Sequence, residues 1–202
     1  MQRTDLPSQS SHPNFIGSWT IEPPSISDAI ISYFESNQSK QKQGAFASGK
    51  KNLEAKNSID LTMSPKELLL PENECFKTYF KALFQCYKDY EMQWPFLKMI
   101  TTELHIGRFN IQRYERNQHF QKVHTERSGL STLNRLLAWM TYLNDVATED
   151  GGSTVFTHYG LEFQPKRGQT LIWPAEWTHA HKGSLLTRNS KYIITGWMHF
   201  AS

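Results

Sequence analysis

Histidine and acidic side chains that could hold a metal ion lie in the second half of the chain. His124 precedes Glu126 by two residues, and His179 precedes His181 by two. Residues two apart on a β-strand project to the same face, so each pair could present both side chains to one ion. Imidazole nitrogens and carboxylate oxygens both bind transition metals. A third ligand has to come from elsewhere in the chain.

A histidine from the second pair would complete a set of two imidazoles and one carboxylate. With open positions on its other side, this is the ligand set of non-haem Fe(II) oxygenases, where the metal must hold a bidentate co-substrate and still admit dioxygen. The chain has eight His and 19 acidic residues. Chance alone therefore gives about 0.75 His-x-acid matches, so the interpretation depends on the surrounding sequence.

The elements that must position these residues change in character near residue 100. Pro23-Pro24 followed by Ser25 and Asp28 indicates a helix start, and an apolar stripe over 76–90 predicts a long amphipathic helix. After residue 100, short apolar segments alternate with Gly and Pro turn signals, which is typical of a β-sandwich or barrel. The expected strands lie at 104–106, 136–143, 155–156, 170–173 and 192–195.

Composition favours a folded protein. Of its 202 residues, 38% are hydrophobic and 13% aromatic, which excludes a disordered chain. No apolar segment reaches the roughly 18 residues of a membrane span, and the N-terminus lacks the apolar core of a signal peptide. Cys75 and Cys86 would lie roughly 16 Å apart on one helix, too far for a disulfide. These observations predict a cytoplasmic protein with reduced cysteines and no membrane partner.

The net charge of +3 comes from 22 basic residues that are spread along the chain. Such a spread indicates a solvated, mildly basic surface, and we expect no nucleic acid partner.

The order of motifs around His124 is more specific than the His–Glu pair. Tyr114 lies ten residues before His124, and a series of motifs follows it: Arg135 to Val146 with Tyr142, Gly151 to Phe156, Pro165 to Gly168, Trp173-Pro174, His181-Lys182-Gly183, Lys191 and Trp197. This series, from about residue 104 to 200, resembles the prolyl 4-hydroxylase-like branch of the Fe(II)/2-oxoglutarate-dependent dioxygenases.

The resemblance implies a mainly β fold with supporting α-helices, built on a double-stranded β-helix (a jelly-roll of the cupin-like type). Residues 1–13 would form a flexible N-terminal arm, and 14–202 a single catalytic domain. Within that domain, 14–100 would supply mostly helical support and loop, and 101–202 the double-stranded β-helix with the metal site. We further expect the 76–90 helix to pack on the outer face of the larger sheet. The polar 36–60 segment should cover the mouth of the site and influence substrate choice.

The resemblance also assigns the metal ligands. His124, Glu126 and His181 match the three iron ligands and so the catalytic centre. The family usually has Asp where this chain has Glu126, and the longer side chain requires the carboxylate to fold back or the strand to shift. His179 is the alternative distal ligand, because it would share a strand face with His181. Arg135 is either a structural salt-bridge residue or a residue facing the substrate.

Four further residues match the binding site of the co-substrate. By the resemblance, Lys191 and Tyr142 contact the far carboxylate of 2-oxoglutarate, Tyr114 lies near its iron-chelating end, and Trp197 is an aromatic wall. A buried dianion needs a cation and hydrogen-bond donors, which an ammonium and a tyrosine hydroxyl supply together.

The resemblance predicts an oxidoreductase that uses Fe(II), 2-oxoglutarate and O2. It would hydroxylate an aliphatic C–H, with a prolyl residue of a peptide or protein as the substrate indicated, and convert 2-oxoglutarate to succinate. Ascorbate is expected as a reductant of ferric iron. The alternatives are a hydroxylase of a free amino acid or other small metabolite, a metal- and 2-oxoglutarate-binding module without turnover, and a structural β-sandwich with a surface His–Glu pair.

Overall fold

Two antiparallel sheets face each other in the computed structural model, which describes residues 1–5, 13–45, 52–101 and 103–201. The strands in these ranges are β1 Gln2–Arg3, β2 Gly17–Thr20, β3 Lys42–Gln43, β4 Ile59–Met63, β5 Leu104–Ile106, β6 Phe109–Tyr114, β7 Phe120–His124, β8 Arg135–Tyr142, β9 Thr154–Phe156, β10 Leu161–Phe163, β11 Gln169–Pro174, β12 His181–Gly183 and β13 Lys191–Phe200. The helices are α1 Ser25–Ser36, α2 Glu74–Gln93 and α3 Leu97–Ile100.

The larger sheet has the order β1-β2-β11-β8-β13-β6-β4-β3, with β5 also paired to β13. The smaller sheet has the order β10-β9-β12-β7. Neighbouring strands within each sheet are antiparallel and seldom consecutive in the chain, so the connections cross between the sheets as in a jelly-roll. The predicted double-stranded β-helix with supporting helices is confirmed.

Strand β8 packs against other elements on both faces of the larger sheet. Its side chains alternate between two apolar clusters: Leu137 and Trp139 pack towards the helices, whereas Ala138, Met140 and Tyr142 pack between the sheets. A strand buried on both faces reads as a continuous apolar segment, as the 136–143 sequence does. The second of these faces leads into the candidate site.

Helix α2 packs on the outer face of the larger sheet, as predicted. Tyr79, Leu83 and Cys86 of this helix are almost completely buried in the same cluster as the outward-facing residues of β8. The hydroxyl groups of Tyr79 and Thr141 lie 2.7 Å apart, which satisfies both groups inside this interface. Phe84 lies on the opposite side of the helix and is 55% exposed.

The first half of the chain adds strands that the periodicity analysis did not predict. β2 joins the larger sheet beside β11, and β4 joins it beside β6. In β4, apolar residues alternate with Asp60 and Thr62, a pattern obscured by the polar residues on either side. In the 1–13 segment, Gln2–Arg3 pairs with β2, whereas 6–12 lies outside the described residues, as does 46–51 of the polar 36–60 segment.

The remaining composition-based predictions concern cysteines and membrane spans. Cys75 and Cys86 are both free. Among the described helices, none combines the length and apolar character that a bilayer crossing requires.

Candidate metal centre

The histidine ligands predicted from the sequence lie on neighbouring strands of the smaller sheet. Strands β7 and β12 are antiparallel, and their register places His124 directly opposite His181. Glu126 follows two residues after His124, just beyond the end of β7. Because directly opposed residues of an antiparallel pair have neighbouring side chains, the two imidazole centroids lie 4.4 Å apart.

The three side chains converge on one point. One potential ligand atom from each of His124, Glu126 and His181 lies within 4.8 Å of the other two. Glu126 Oε1 is 3.3 Å from His181 Nε2 and 4.0 Å from His124 Nε2. The same carboxylate oxygen therefore faces both imidazoles.

Backbone carbonyls fix the orientation of both rings. Nδ1 of His124 lies 2.9 Å from the carbonyl oxygen of Lys122, and Nδ1 of His181 lies 2.9 Å from that of His179. A carbonyl can only accept, so each Nδ1 carries a proton, and Nε2 is the ring atom that each histidine turns towards Glu126. The Phe120 ring stacks on His124 at 3.7 Å between centroids. Both Nε2 atoms are thus oriented as metal ligands.

His179, the alternative distal ligand, points elsewhere. It lies in a short 3₁₀ turn before β12, and its Nε2 donates to the carbonyl oxygen of Asn14 at 2.8 Å. Its Nδ1 lies 3.0 Å from the hydroxyl of Thr178. The structure therefore brings His181, and not His179, to Glu126.

The other oxygen of Glu126 is held by the larger sheet. Trp197 Nε1 donates to Glu126 Oε2 at 2.7 Å. Arg135 donates from Nη1 to the backbone carbonyl of Glu126 at 2.8 Å, and its guanidinium lies 3.6 Å from the Trp197 ring centroid. These contacts use the length of the glutamate: Oε2 reaches across to β13 while Oε1 stays beside the histidines.

The protonation states suit a metal site. Burial alone would raise the pKa of Glu126, but the hydrogen bond and charge of His181, the charge of His124 and the Trp197 hydrogen bond lower it to about 2. Burial and then the neighbouring His181 lower the pKa of His124 to about 4, against the opposing effect of Glu126. Near neutral pH the site therefore offers an ionised carboxylate and a neutral His124. Two imidazoles with one carboxylate fit Fe(II).

Lys191 lies inside the cavity that contains these ligands. It is 4% exposed, and its Nζ donates to the carbonyl oxygen of Gly152 at 2.8 Å. The same Nζ lies 4.5 Å from the centroid of the Tyr114 ring. Burial lowers the pKa of Lys191 to about 7. Lys191, Tyr114 and Trp197 all line one cavity with the candidate ligands, because they occupy inward-facing positions of β6 and β13.

Tyr142 is placed differently from the other predicted co-substrate residues. Its side chain is fully buried between the sheets, and its hydroxyl donates to Thr154 Oγ1 at 2.7 Å, with the carbonyl of Phe163 at 3.2 Å. The described residues that line the cavity include Thr154 but not Tyr142. The hydroxyl is thus used within the core, so a direct contact with a ligand would require these hydrogen bonds to rearrange.

A buried polar cluster beside the site was missed by sequence reasoning. Asp60 accepts from Lys56 Nζ at 2.7 Å, Ser58 Oγ at 2.8 Å and Gln112 Nε2 at 3.0 Å. Tyr114 donates to Gln112 Oε1 at 2.9 Å, which joins the cluster to the cavity. The available signal was the alternation of polar residues at 58, 60 and 62. Such an alternation normally indicates a solvent-facing side, whereas here it faces into the jelly-roll.

Comparison with known proteins agrees with this fold. Residues 109–199 match the family model described as 2OG-Fe(II) oxygenase superfamily. No curated protein shows significant sequence similarity to the chain. The matched segment contains the motif series described above, and the match confirms the resemblance to this superfamily inferred from the motif order.

Solved prolyl hydroxylases share the fold at low sequence identity. The viral collagen prolyl hydroxylase of Paramecium bursaria Chlorella virus-1, solved with 2OG, has a TM-score of 0.68 at 15% identity, covering 93% of this chain and 97% of its own. A Pseudomonas putida prolyl-4-hydroxylase has a TM-score of 0.69 at 15% identity, with 94% of each chain covered. A Trichoplax adhaerens prolyl hydroxylase has a TM-score of 0.71 at 13% identity, covering 93% and 84%.

Proposed function

We propose that the protein is an Fe(II)- and 2-oxoglutarate-dependent dioxygenase that hydroxylates an aliphatic C–H. The observation that carries the proposal is the convergence of His124 Nε2, His181 Nε2 and Glu126 Oε1 in a pocket of the jelly-roll. Bound iron would supply the activation of O2 that couples hydroxylation to the conversion of 2-oxoglutarate to succinate. The protein supplies the ligands, the geometry and the exclusion of water.

The remaining cavity residues support a role in binding 2-oxoglutarate. Lys191 is the buried cation at the inner end of the cavity, and its ammonium can bind a carboxylate there. Trp197 contributes an aromatic wall while its indole N–H holds Glu126. Tyr114 lies between Lys191 and the polar cluster, where its hydroxyl is oriented by Gln112. Together they place charge and hydrogen-bonding groups where a keto acid can bind beside the metal.

A peptidyl substrate is the finer part of the proposal. The cavity has a volume of about 1450 Å³, above the 300–1,000 Å³ typical of small-molecule pockets. The Trichoplax adhaerens neighbour was solved with a peptide fragment of the hypoxia inducible factor oxygen degradation domain. A prolyl residue in a peptide is therefore the first substrate to test, with ascorbate included as a reductant of ferric iron.

The decisive test is an anaerobic titration of the Fe(II)-loaded protein with 2-oxoglutarate. We expect the visible charge-transfer band of an iron-chelated keto acid to appear in the wild type. It should be absent in His124→Ala and His181→Ala, and it should persist in His179→Ala, the matched control. No band in a folded, iron-loaded wild type would contradict the proposal.

The alternative function is a binding module of the same fold that lacks turnover. The observation that favours it is Glu126, which stands where the resembled family usually has an aspartate ligand. The two functions differ in a single measurement. An oxygenase converts 2-oxoglutarate to succinate under air in an iron-dependent reaction, whereas a binding module shows the charge-transfer band without producing succinate.

A further inference from the structure

The cavity above the candidate metal centre concentrates the positive charge of the molecule. Among the described residues that line it, seven are basic and two are acidic. In this described lining, basic side chains therefore outnumber acidic ones by five, whereas in the chain as a whole they do so by three. The lining basic residues are Lys40, Lys42, Lys56, Arg108, Lys122, Arg135 and Lys191, and the acidic ones are Asp60 and Glu126.

Both acidic side chains are already engaged deep in the cavity. Asp60 is paired with the buried Lys56 at 2.7 Å. Glu126 faces the histidines and accepts from Trp197. Each carboxylate of the described lining therefore already has its own partners within the cavity.

The cations near the mouth remain open to a ligand. Lys42 and Arg108 are exposed, and the side chain of neither makes a hydrogen bond or ion pair with any residue in the described parts of the chain. The side chain of exposed Lys40 has one hydrogen bond to a described residue, from Nζ to the hydroxyl of Tyr33 at 3.3 Å. Asp60 lies opposite Lys42 in the register of β3 and β4, but its carboxylate is bonded to Lys56, Ser58 and Gln112 and not to Lys42. A wall of one sign attracts a ligand of the opposite sign.

We propose that this outer wall binds acidic side chains of an extended peptide substrate whose target residue reaches the metal centre. The inference rests on the proposed function, which places the reaction at the inner end of the same cavity. The cavity volume of about 1450 Å³ leaves room for a peptide segment beside the co-substrate. Lys40 and Lys42 lie around β3 at one edge of the larger sheet, and Arg108 directly precedes β6. These three cations are therefore spread along one side of the cavity, as an extended ligand would require, and are not grouped around one small site.

The aromatic residues of the cavity favour a peptide over a nucleic acid. Binding of single-stranded nucleic acid relies on open aromatic faces on which bases stack. Tyr114 and Trp173 are buried, at 3% and 2% exposure. Phe120 lies with one face against His124, and Trp197 lies under the guanidinium of Arg135. The described lining has cations at its mouth without exposed stacking surfaces beside them.

Two synthetic peptides test the proposal. They have the same length and a central proline, which is flanked by Glu in one and by Gln in the other. Fluorescence anisotropy measures their binding to Mn(II)-loaded protein with 2-oxoglutarate under anaerobic conditions. We expect the Glu peptide to bind about 10-fold more tightly at low salt, because several exposed ion pairs each contribute modestly. Screening should reduce this advantage at roughly 0.5 M salt.

Charge reversal locates the effect. In the Lys42→Glu/Arg108→Glu variant, we expect the preference for the Glu peptide to disappear. The matched control is Lys66→Glu/Lys81→Glu, which reverses two exposed lysines outside the cavity lining. The control should keep the full preference. Circular dichroism of both variants establishes that they are folded.

Three results would overturn the inference. They are equal affinity for the two wild-type peptides, an unchanged preference in the cavity variant, and tighter binding of a labelled oligothymidine than of the Glu peptide. The last result would assign the wall to nucleic acid. The charge-transfer titration uses no peptide, so failure of the proposed function is recognised separately from failure of this inference.

Discussion

The glutamate side chain at position 126 is long enough to reach Trp197 on the opposite sheet. The glutamate oxygen Oε2 accepts the indole N–H at 2.7 Å, while Oε1 stays 3.3 Å from His181 Nε2. A carboxylate held through its second oxygen has one orientation available for a metal, and such supporting contacts set ligand geometry. The replacement of aspartate by glutamate is thus accompanied by a specific partner on the opposite sheet.

This pairing predicts that the effect of Trp197→Phe depends on residue 126. In the wild type, loss of the indole N–H should weaken Mn(II) binding by about 10-fold or more, since it frees the carboxylate. In the Glu126→Asp background the carboxylate is one methylene shorter, so the same substitution should cost much less. Calorimetric titration of the four proteins with Mn(II) measures both effects. An equal loss in both backgrounds would show that Trp197 acts independently of Glu126.

Lys191 predicts a pH dependence of 2-oxoglutarate binding. Burial lowers the pKa of Lys191 to about 7, so above pH 7 the amine of the free protein is increasingly neutral. Binding of the 2-oxoglutarate dianion requires the ammonium form of Lys191. A protein molecule with a neutral Lys191 must therefore take up a proton when it binds the dianion. We therefore expect the dissociation constant for 2-oxoglutarate to rise with pH, by up to about 10-fold per pH unit between pH 7 and 9.

The control for this pH dependence is Lys191→Arg. A guanidinium stays charged throughout this range, so its profile should be nearly flat. Calorimetry on Mn(II)-loaded protein measures both profiles. A flat profile in the wild type would contradict a role for the Lys191 ammonium in binding the dianion.

At the residue scale, the sequence predicted what depends on motif order. The places of His124, Glu126 and His181 follow from their order and offsets, and the structure brings the three together. The hydrogen bond of Tyr142 to Thr154 was not predictable, because it depends on which side chain lies opposite in the other sheet. The contact between Trp197 and Glu126 likewise joins residues 71 positions apart.

Among the elements, helix α2 provides most of the packing on the outer face of the larger sheet. Its stripe was predictable from helical periodicity, because an apolar side chain recurs every three or four residues. Strand β4 was not predictable in the same way. Its alternation covers only five residues, and one of its two polar side chains, Asp60, lies in a buried cluster, whereas Thr62 is exposed.

The α2 interface predicts opposite outcomes for two neighbouring substitutions. Leu83 is completely buried, so Leu83→Ala should lower the free energy of unfolding by about 2–5 kcal/mol through lost contacts and a cavity. Phe84 is 55% exposed, so Phe84→Ala should change it by about 0.5 kcal/mol or less. Urea denaturation followed by circular dichroism measures both. Similar losses in the two variants would contradict the orientation of α2.

The end of the polar 36–60 segment connects to the strand that carries His124. Asn57 and His119 exchange backbone hydrogen bonds of 2.8 and 3.1 Å, and the Lys122 N–H donates to the carbonyl of Ala55 at 3.2 Å. These bonds cover the outer edge of β7. Described parts of the segment also line the cavity, at Lys40 and Lys42 among others. The expected influence of this segment on substrate choice thus has a structural basis and stays a prediction.

On the scale of the whole molecule, the candidate centre joins the two sheets. His124 and His181 belong to the smaller sheet, whereas Trp197, which holds Glu126, belongs to the larger. A metal that binds only the folded chain stabilises it, by about 2.7 kcal/mol at 100 times its dissociation constant. For a chain of this length we expect Mn(II) to raise the Tm by about 5–10 °C.

The control for metal stabilisation compares each variant with and without Mn(II). His181→Ala should lose the rise in Tm, whereas His179→Ala should keep it, whatever the stability of each metal-free protein. Scanning calorimetry measures the four differences. An undiminished rise in His181→Ala would place the metal elsewhere.

The two ends of the larger sheet have a consequence for self-association. The sheet terminates in β1 at one edge and β3 at the other, and each of these strands has only two residues. Edge strands with long rows of free N–H and C=O groups are templates for a strand of another molecule, which leads to aggregation. Two residues offer too few such groups to hold an added strand in register. In the described part of the chain, the strands at these two ends of the larger sheet thus offer little backbone on which a strand of another copy could be added.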